Sequence, residues 1–334
     1  MTRATARAHP NIALVKYWGK RDEAQMLPAA GSMSMTLDAF ATTTTVEVDG
    51  TLTEDAFSLG GAEQTGVALD RTTRFLDVVR SLAGDGRRAR VRSHNEAPTA
   101  AGLASSASGF AALALAAAAA YGLDLDERAL SRLARRGSGS ATRSVIPGYA
   151  VWHAGTDDAS SYAEGIEAPD LRLVIVTVDG SPKSVSSRRA MRLTAATSPF
   201  YEAWVSSTEQ SLTEMVRACA DGDVPRIGAL TESHALRMHA VIATSTPPVR
   251  YLAPRSIEVF DAAVRLREAG VTAWATADAG PNVCVLTTPA EAEAVAAAVA
   301  EHGEVRIVGP GPGAHLLAEH LPEPAQRDGG ETPR

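Results

Sequence analysis

The segment PTAAGLASSASG at residues 98–109 is the stretch on which the interpretation of this chain depends. Its small residues let the backbone approach a ligand closely, and Ser105 and Ser106 add two hydroxyl donors. The alanine-rich segment at residues 110–120 is predicted to be a helix whose free N–H groups and positive dipole end point back at the loop. We therefore predict an anion site that binds phosphate. An ordinary loop before a buried helix is the alternative interpretation.

Known phosphate motifs do not explain this segment. No Gly-Lys-Ser/Thr ends it, so it is not a Walker A loop, and it lacks the G-x-G-x-x-G spacing of the Rossmann fingerprint. The motif itself therefore leaves the phosphate chemistry to be decided by the rest of the chain.

Length and composition indicate a two-domain globular protein that acts on something small. The chain has 334 residues, of which 45% are hydrophobic, and this suits two cores better than one. The net charge is −7, with acidic and basic residues interspersed, which argues against a nucleic-acid surface. We expect a small-molecule substrate.

Cysteine usage and hydropathy favour a cytoplasmic location. Cys219 and Cys284 are far apart and have no C-x-x-C partner, so the sequence indicates neither a disulfide framework nor a zinc site. The longest apolar run, at residues 110–121, is shorter than the roughly 20 residues of a membrane span. Residues 321–334 are rich in Pro, Gly and charge and are predicted to be a disordered tail.

The periodicity of apolar residues predicts a mixed α+β protein with a boundary near residue 185. Helical patterns occur at residues 71–82, 125–136, 199–222, 224–238 and 256–270, and strand patterns at 42–48, 171–178, 272–277, 282–287 and 304–308. The strands at 272–277 and 282–287 are predicted to form a hairpin, to which 304–308 adds a third strand. His234 and His239 are five residues apart and would not share a helical face, so we predict packing or surface roles for them.

Three further segments identify a family. They are NIALVKYWGKRD at residues 11–22, GSGSATRS at 137–144 and TADAGPN at 276–282. Together with the loop at 98–109, they resemble the mevalonate diphosphate decarboxylases of bacterial type, within the GHMP kinase superfamily. The resemblance extends from about residue 4 to residue 317. It implies a ribosomal-protein-S5-like N-terminal domain at 1–185 and a ferredoxin-like C-terminal domain at 186–320, with the active cleft between them.

The resemblance also implies the reaction. The tertiary 3-hydroxyl of mevalonate 5-diphosphate is phosphorylated by ATP, after which phosphate and carbon dioxide leave and isopentenyl diphosphate remains. ATP and Mg²⁺ are the implied cofactors. We expect no nucleic-acid or membrane partner, and we expect a homodimer, which the sequence itself does not show.

Three residues are candidates for catalysis. Asp278 lies in an Asp-Ala-Gly-Pro turn that holds its carboxylate in a set direction, although turn aspartates commonly act only as local caps. By resemblance Asp278 is the base, and Lys16 lies beside it. Arg143 follows a run of small residues, and its planar fork suits a carboxylate. The resemblance places it near the C1 carboxylate of the substrate, and a salt bridge to a neighbouring acid is the alternative.

Seven residues are candidates for substrate binding. Lys16 and Lys20 are four apart, so an extended backbone would put both on one face of a strand, where they would converge on one anion. The resemblance assigns the substrate diphosphate to Tyr17, Lys20, Ser187 and Arg188. It assigns the lining of the pocket beside Arg143 to Ser138, Gly139 and Ser140.

The nucleotide is expected at the opening segment. The resemblance places Asn95, Ser105 and Ser106 at the ATP phosphates, with Gly102, Leu103 and Ala104 completing the loop. Ser106 is also the expected Mg²⁺ ligand, because this ion prefers oxygen ligands and retains several waters. No adenine contact is predicted.

Two segments depart from the family pattern near the expected substrate pocket. Ala29-Ala30-Gly31 replaces small polar residues, and Pro147-Gly148 replaces a Gly-Gly pair, which removes a backbone donor. They are either drift or the mark of a paralogue acting on another 3-hydroxy acid. A third option is a kinase without decarboxylation, and a fourth is a non-enzymatic nucleotide-binding module.

Overall fold

The computed structural model describes residues 2–96, 105–181 and 184–322. Gly102, Leu103 and Ala104 lie outside these ranges, as does the predicted tail from residue 323 onwards. The strands are β1 (Thr2–Ala8), β2 (Asn11–Val15), β3 (Lys20–Asp22), β4 (Leu27–Pro28), β5 (Ser32–Thr36), β6 (Thr42–Asp49), β7 (Ala56–Leu59), β8 (Ala62–Glu63), β9 (Arg88–Asn95), β10 (Tyr149–Trp152), β11 (Ala163–Ile166), β12 (Arg172–Thr177), β13 (Trp274–Ala277), β14 (Val283–Thr287), β15 (Glu304–Val308) and β16 (His315–Leu317).

The helices of the described residues include one for each predicted helical pattern, with ends within five residues of those predicted, and three that were not predicted. They are α1 (Val67–Ala83), α2 (Ser105–Ala120), α3 (Glu127–Gly137), α4 (Ala141–Ser144), α5 (Ser187–Thr197), α6 (Tyr201–Ala220), α7 (Val224–Ala243), α8 (Pro254–Glu268) and α9 (Ala292–Val299). Mixed helix and strand content confirms the α+β class. No helix in the described ranges is both long and apolar enough to cross a membrane.

A six-stranded sheet and the alanine-rich helix α2 form the first core. The strand order is β16-β1-β6-β9-β7-β8, and α2 packs on β1 and β6. The small side chains of Ala111, Ala114 and Ala117 are fully buried and let the helix approach the sheet closely. This packing fixes the direction of α2, whose first residues face the cleft described below.

The second sheet leads directly into a segment that lines the cleft. Its order is β11-β10-β5-β2, all antiparallel. Every residue of β2 and β5 is buried, as expected for strands covered on both faces. Because β2 ends at Val15, the chain leaves the sheet directly into the segment that contains Lys16.

The third sheet joins the two halves of the molecule. Its order is β13-β14-β12-β15, and the residues of β12 alternate between two cores. Leu173 and Ile175 pack with the second sheet, α6 and α7, whereas Val174 and Val176 pack with α8 and α9. This period of two is that of a strand with two covered faces.

This sheet differs from the prediction in two respects. The pairing of β12 with β14 and β15 places residues 172–177 with the second half of the chain, whereas the predicted division at 185 puts them in the first. β13 and β14 form the predicted hairpin, but β15 pairs with β12 and does not extend it. β16 returns to the first sheet by pairing with β1. Local patterns show where strands occur and not which distant strand each one pairs with.

Candidate active site

A cleft of about 300 Å³ lies where the end of β2, the turn between β13 and β14, and the starts of α4 and α5 meet. Its lining contains eleven of the residues predicted to take part in catalysis or binding. These are Lys16, Tyr17, Lys20, Ser106, Ser138, Gly139, Ser140, Arg143, Ser187, Arg188 and Asp278.

Lys16 and Asp278 form an ion pair inside this cleft. Lys16 Nζ donates to Asp278 Oδ1 at 2.7 Å and to the carbonyl oxygen of Ala13 at 2.8 Å. The lysine side chain is 1% exposed and that of Asp278 is 37% exposed. The carboxylate is therefore held from behind by a buried cation while part of it faces the cleft, which is the arrangement a base or positioning group needs.

The turn that carries Asp278 is fixed by one backbone hydrogen bond and by the side chain of Asn282. Gly280 N donates to Asp278 O at 2.7 Å, which closes the turn. The side-chain oxygen of Asn282 accepts from Val178 N at 2.8 Å and from Asp179 N at 3.1 Å. These bonds tie the turn to the end of β12. The carboxylate is thereby directed by rigid strands on both sides.

Arg143 is a buried cation held by neutral groups. It is 2% exposed, and its guanidinium donates to Ser34 Oγ at 2.9 Å, to Asn11 Oδ1 at 3.1 Å and to Ser32 Oγ. Burial lowers the pKa of Arg143 to about 10, with Asp278 and Tyr17 acting in the opposite direction, so the group is charged at neutral pH. The predicted alternative, a salt bridge to a neighbouring acid, does not occur within the described chain. A buried charge with neutral partners is suited to an anionic ligand.

Tyr17 offers a hydroxyl to the same cleft. Its Oη is buried and has no hydrogen-bond partner within the described residues. Burial raises the pKa of Tyr17, so its O–H stays a neutral donor. A Cβ added to Gly139 would lie 2.7 Å from this Oη, which explains why glycine stands between Ser138 and Ser140. A buried donor without a partner, in the wall of a cleft, is suited to a ligand oxygen.

Basic side chains gather at the end of the cleft formed by β3 and α5. Lys20 Nζ donates to Glu23 Oε2 at 2.8 Å, and Arg192 donates to the same oxygen at 3.0 Å. The bond from Arg192 and, after it, that from Lys20 lower the pKa of Glu23 to about 2. Burial lowers the pKa of Lys20, and Arg188 is one of the cations that act in the same direction. This end therefore has an excess of positive charge.

Ser187 and Arg188 occupy the first turn of α5 beside this charge. Ser186 is the N-cap residue, with its hydroxyl accepting from Arg189 N at 3.3 Å. Because a helix N-terminus carries free N–H groups and partial positive charge, it adds to the anion-binding character of this end.

A second, smaller cavity of about 180 Å³ adjoins the cleft at Ser106 and Arg71, which line both. Its walls are mainly apolar and include Phe57, Val91 and Phe110. Asn95 also lines it, and its side-chain oxygen accepts from Thr42 Oγ1 at 2.9 Å. The smaller cavity is thus mainly apolar, the cleft carries the polar residues, and Ser106 and Arg71 lie where the two adjoin. Of Ser105, only its place at the start of α2 is described.

One prediction about placement was wrong. Lys16 and Lys20 do not share a strand, because β2 ends at Val15 and β3 begins at Lys20; the irregular segment between them brings both into the cleft. Neither departing segment lines the cleft. Gly31 packs against Leu212 and Trp152, where a Cβ would lie 2.5 Å from Leu212 Cδ2, and Pro147 is exposed. Both cysteines are free and buried.

Some residues of the site were not predicted. Arg71 was assigned only to a helix, and Asn11 was considered only as part of a motif. His234 was assigned to packing or the surface, yet its Nδ1 accepts a hydrogen bond from Lys16 N at 3.0 Å. The two residues are 218 positions apart, so no local pattern signals this contact.

Models of known families match both halves of the chain. The Diphosphomevalonate decarboxylase-like N-terminal domain matches residues 8–163, and the Mevalonate 5-diphosphate decarboxylase C-terminal domain matches residues 173–306. The phosphomevalonate decarboxylase of Haloferax volcanii is 36% identical over 322 residues, covering 95% of this chain and 98% of that protein. Human diphosphomevalonate decarboxylase is 37% identical over 308 residues, covering 85% and 76%.

A solved structure is similar over nearly its full length. It is described as MDDEF in complex with MVAPP, AMPPCP and magnesium, and it is 42% identical with a TM-score of 0.90, covering 95% of this chain and 99% of that one. The two-domain GHMP kinase fold expected from the sequence is thereby confirmed. The chain belongs to the diphosphomevalonate decarboxylase family.

Proposed function

We propose that this protein performs the ATP-dependent decarboxylation of mevalonate 5-diphosphate with the residues of the cleft. The observation that carries the proposal is the meeting of two elements in one cleft: the Lys16–Asp278 pair, and Arg143 with no acidic partner in the described chain. The pair suits an acceptor hydroxyl and the arginine suits an acceptor carboxylate, so the substrate is a hydroxy acid.

Asp278 acts on the 3-hydroxyl. Its carboxylate accepts the hydroxyl proton or aligns the oxygen for in-line attack on the γ-phosphate of ATP, and Lys16 fixes its position. Once the hydroxyl carries phosphate, the C–O bond breaks with phosphate as the leaving group. The electrons of the C1–C2 bond form the new double bond, and carbon dioxide leaves.

Arg143 holds the substrate carboxylate during this sequence. The serine and asparagine partners leave part of the guanidinium free for a ligand, and they fix the plane of the fork. Orientation matters here because the breaking C–C bond must be aligned with the departing phosphate.

The basic end of the cleft takes the 5-diphosphate. Lys20, Arg188 and the hydroxyl of Ser187 supply charge and donors, and the unpartnered Tyr17 Oη adds another donor. Ser138 and Ser140 line the same cleft as Arg143, and their hydroxyls, 3.5 Å apart, are at the limit of a mutual hydrogen bond. They are therefore free to turn towards substrate oxygens.

The smaller cavity takes the nucleotide. Its apolar walls suit adenine, and the phosphates would pass Ser106 and Arg71 into the cleft. Burial, together with Arg188 and Arg74, lowers the pKa of Arg71 to about 10, so it stays charged at neutral pH. When bound, Mg²⁺ neutralises the charge that develops on the phosphates. The Ser106 hydroxyl fits this ion, which prefers oxygen ligands and retained water.

One assay tests the reaction. The protein is incubated with ATP, Mg²⁺ and mevalonate 5-diphosphate, and ADP, phosphate, carbon dioxide and isopentenyl diphosphate are measured. The proposal expects equal amounts of all four, and a parallel incubation with mevalonate 5-phosphate tests the need for the second phosphate. ADP without carbon dioxide would show a kinase instead.

Asp278→Asn tests the assigned base. We expect kcat to fall at least ~10²-fold while ATP binding, measured by calorimetry, is unchanged, because the carboxylate serves the acceptor. Asp261→Asn, at an exposed position of α8, is the matched control and should keep full activity. An Asp278→Asn variant with more than a tenth of the wild-type rate would remove Asp278 from the mechanism.

The remaining expectations stay predictions. The cytoplasmic location rests on cysteine usage and hydropathy alone, and neither the sequence nor the described residues bear on the expected homodimer. Light scattering on the purified protein would measure the oligomeric state directly.

A further inference from the structure

The segment between β2 and β3 has no regular structure, although it carries Lys16 into the cleft. Its backbone N–H and C=O groups have no ladder to pair with, so their partners must come from elsewhere. Ala29 N donates to Gly19 O at 3.1 Å, and two buried side chains supply partners at Lys16 and Trp18. Lys16 N donates to His234 Nδ1 at 3.0 Å, and Trp204 Nε1 donates to Trp18 O at 3.0 Å.

These two side chains also contact each other. The rings of Trp204 on α6 and His234 on α7 are 4.6 Å apart between centroids. His234 is fully buried and Trp204 is 4% exposed. Together they hold the main chain at Lys16 and at Trp18 from behind the cleft, so the direction of the Lys16 side chain depends on them.

The hydrogen bonds around His234 fix its tautomer. Thr208 Oγ1 donates its proton to Trp204 O at 2.7 Å, so towards His234 it can only accept. His234 Nε2, 3.2 Å away, must therefore carry the ring proton, and Nδ1 is left as the acceptor for Lys16 N. Burial, aided by Arg237 and Lys16, lowers the pKa of His234 to about 3, which agrees with a neutral ring.

We propose that His234 is a positioning residue for the reaction: through its Nδ1 it fixes the backbone of Lys16, and thereby the direction in which Lys16 Nζ holds the Asp278 carboxylate. This proposal rests on the roles proposed above for Lys16 and Asp278. It gives α7 a part in aligning the catalytic pair. His234 itself is fully buried and lines neither cavity.

The position of the acceptor atom gives a sharp test. In His234→Asn the amide oxygen can lie near the place of Nδ1, whereas in His234→Gln it lies near the place of Nε2. Both variants bury one amide, and glutamine fills the site better than asparagine, so a merely structural role would make His234→Asn at least as harmful as His234→Gln. We expect kcat to fall roughly 10–100-fold in His234→Gln and to stay within about fivefold of wild type in His234→Asn, with KM for both substrates little changed in either.

Thr208→Ser is the control for loss of packing. It removes a buried methyl group beside His234 and keeps the hydroxyl, so we expect a lower melting temperature and a kcat within about twofold of wild type. A loss of kcat in Thr208→Ser as large as that in His234→Gln would overturn the proposal, as would equal losses in the asparagine and glutamine variants.

A spectroscopic measurement decides the contact itself, even if a variant loses activity for another reason. The chain has three lysines, Lys16, Lys20 and Lys183, so protein labelled with ¹⁵N-lysine gives at most three amide signals. Lys16→Arg removes one of them and assigns it. We expect the Lys16 signal to be protected from exchange in wild type and in His234→Asn, and to shift and lose protection in His234→Gln. An unchanged Lys16 signal in His234→Gln would overturn the proposal.

Lys16→Ala separates this proposal from the one on which it rests. If Lys16→Ala keeps full activity, the assigned role of Lys16 is wrong and positioning by His234 has no catalytic meaning. If Lys16→Ala is inactive while His234→Gln keeps wild-type kcat, the role of Lys16 stands and only the positioning role of His234 fails.

Discussion

Replacing Arg143 by lysine tests how the protein recognises an acid. The guanidinium spreads its donors over Ser34, Ser32 and Asn11 while facing the cleft, whereas an ammonium group places all its donors on one atom. Arg143→Lys keeps the charge but cannot keep both these partners and a two-point grip on a carboxylate. The loss of one charge-assisted hydrogen bond is worth about 1.5–3 kcal/mol. At about 1.4 kcal/mol for each factor of ten, kcat/KM should fall roughly 10–150-fold.

The control substrate is 3-hydroxy-3-methylbutyl diphosphate, which has the hydroxyl and the diphosphate but no carboxylate. It gives Arg143 nothing to hold, so the wild-type protein and Arg143→Lys should phosphorylate it slowly and at about the same rate. The assay measures ADP release with both acceptors and carbon dioxide release with the natural one. Equal losses on both acceptors would refute the reasoning, because Arg143 would then serve the fold or the nucleotide.

Two other substitutions probe the ends of the cleft. Ser106→Ala removes the hydroxyl that lines both cavities. The lost hydrogen bond is worth about 1.5–3 kcal/mol, so we expect steady-state kinetics to show a loss of roughly 10-fold or more in catalysis with ATP and little change in acceptor binding. A rise in the acceptor KM alone would contradict this role. Glu23→Gln removes a carboxylate whose pKa is lowered to about 2, so its stabilising effect is present above the ordinary value near 4.5 and is lost as the pH falls towards 2. Glu23 is 44% exposed, so the free energy of unfolding of wild type and Glu23→Gln should differ by no more than about 1 kcal/mol near pH 7 in thermal melts. We expect this difference to shrink below pH 4.5. A difference that does not change with pH would show that the charge of Glu23 is not its cause.

The sequence predicted which residues line the cleft better than how the chain brings them there. Asp278 and Arg143 were singled out because they lie in short motifs that resemble those of the family, whereas the turn around Asp278 taken alone is typical of a local cap. The path from Lys16 to Lys20 was predicted incorrectly, because a spacing of four indicates a shared face only if the strand continues, and β2 ends at Val15. The end of that strand depends on tertiary contacts that the spacing does not contain.

Long-range pairing explains the other differences. β12 was assigned to the first half because it precedes the change to helical patterns, yet it lies between β14 and β15, which are more than 100 residues further along the chain. Arg71 has the pattern of an ordinary charged residue on an amphipathic helix, and only the packing of α1 brings it to the junction of the two cavities. The role of such a residue depends on what its side chain faces in the fold, and sequence periodicity does not specify this.

The partners of the other buried arginines in the described chain support the proposal that Arg143 binds a carboxylate of the substrate. Arg80 is 6% exposed and bonds to Asp55 at 2.9 Å, Arg92 bonds to Glu47 at 2.9 Å, and the fully buried Arg135 pairs with Asp158. Each of these cations has a carboxylate beside it, as the cost of burying a charge demands. Arg143 is as deeply buried, yet in the described chain its hydrogen-bond partners are two serines and an asparagine. Arg143 therefore differs from the other buried arginines in lying in the wall of a cleft without an acidic partner in the described chain, and this difference supports the proposal that it binds the carboxylate of the substrate.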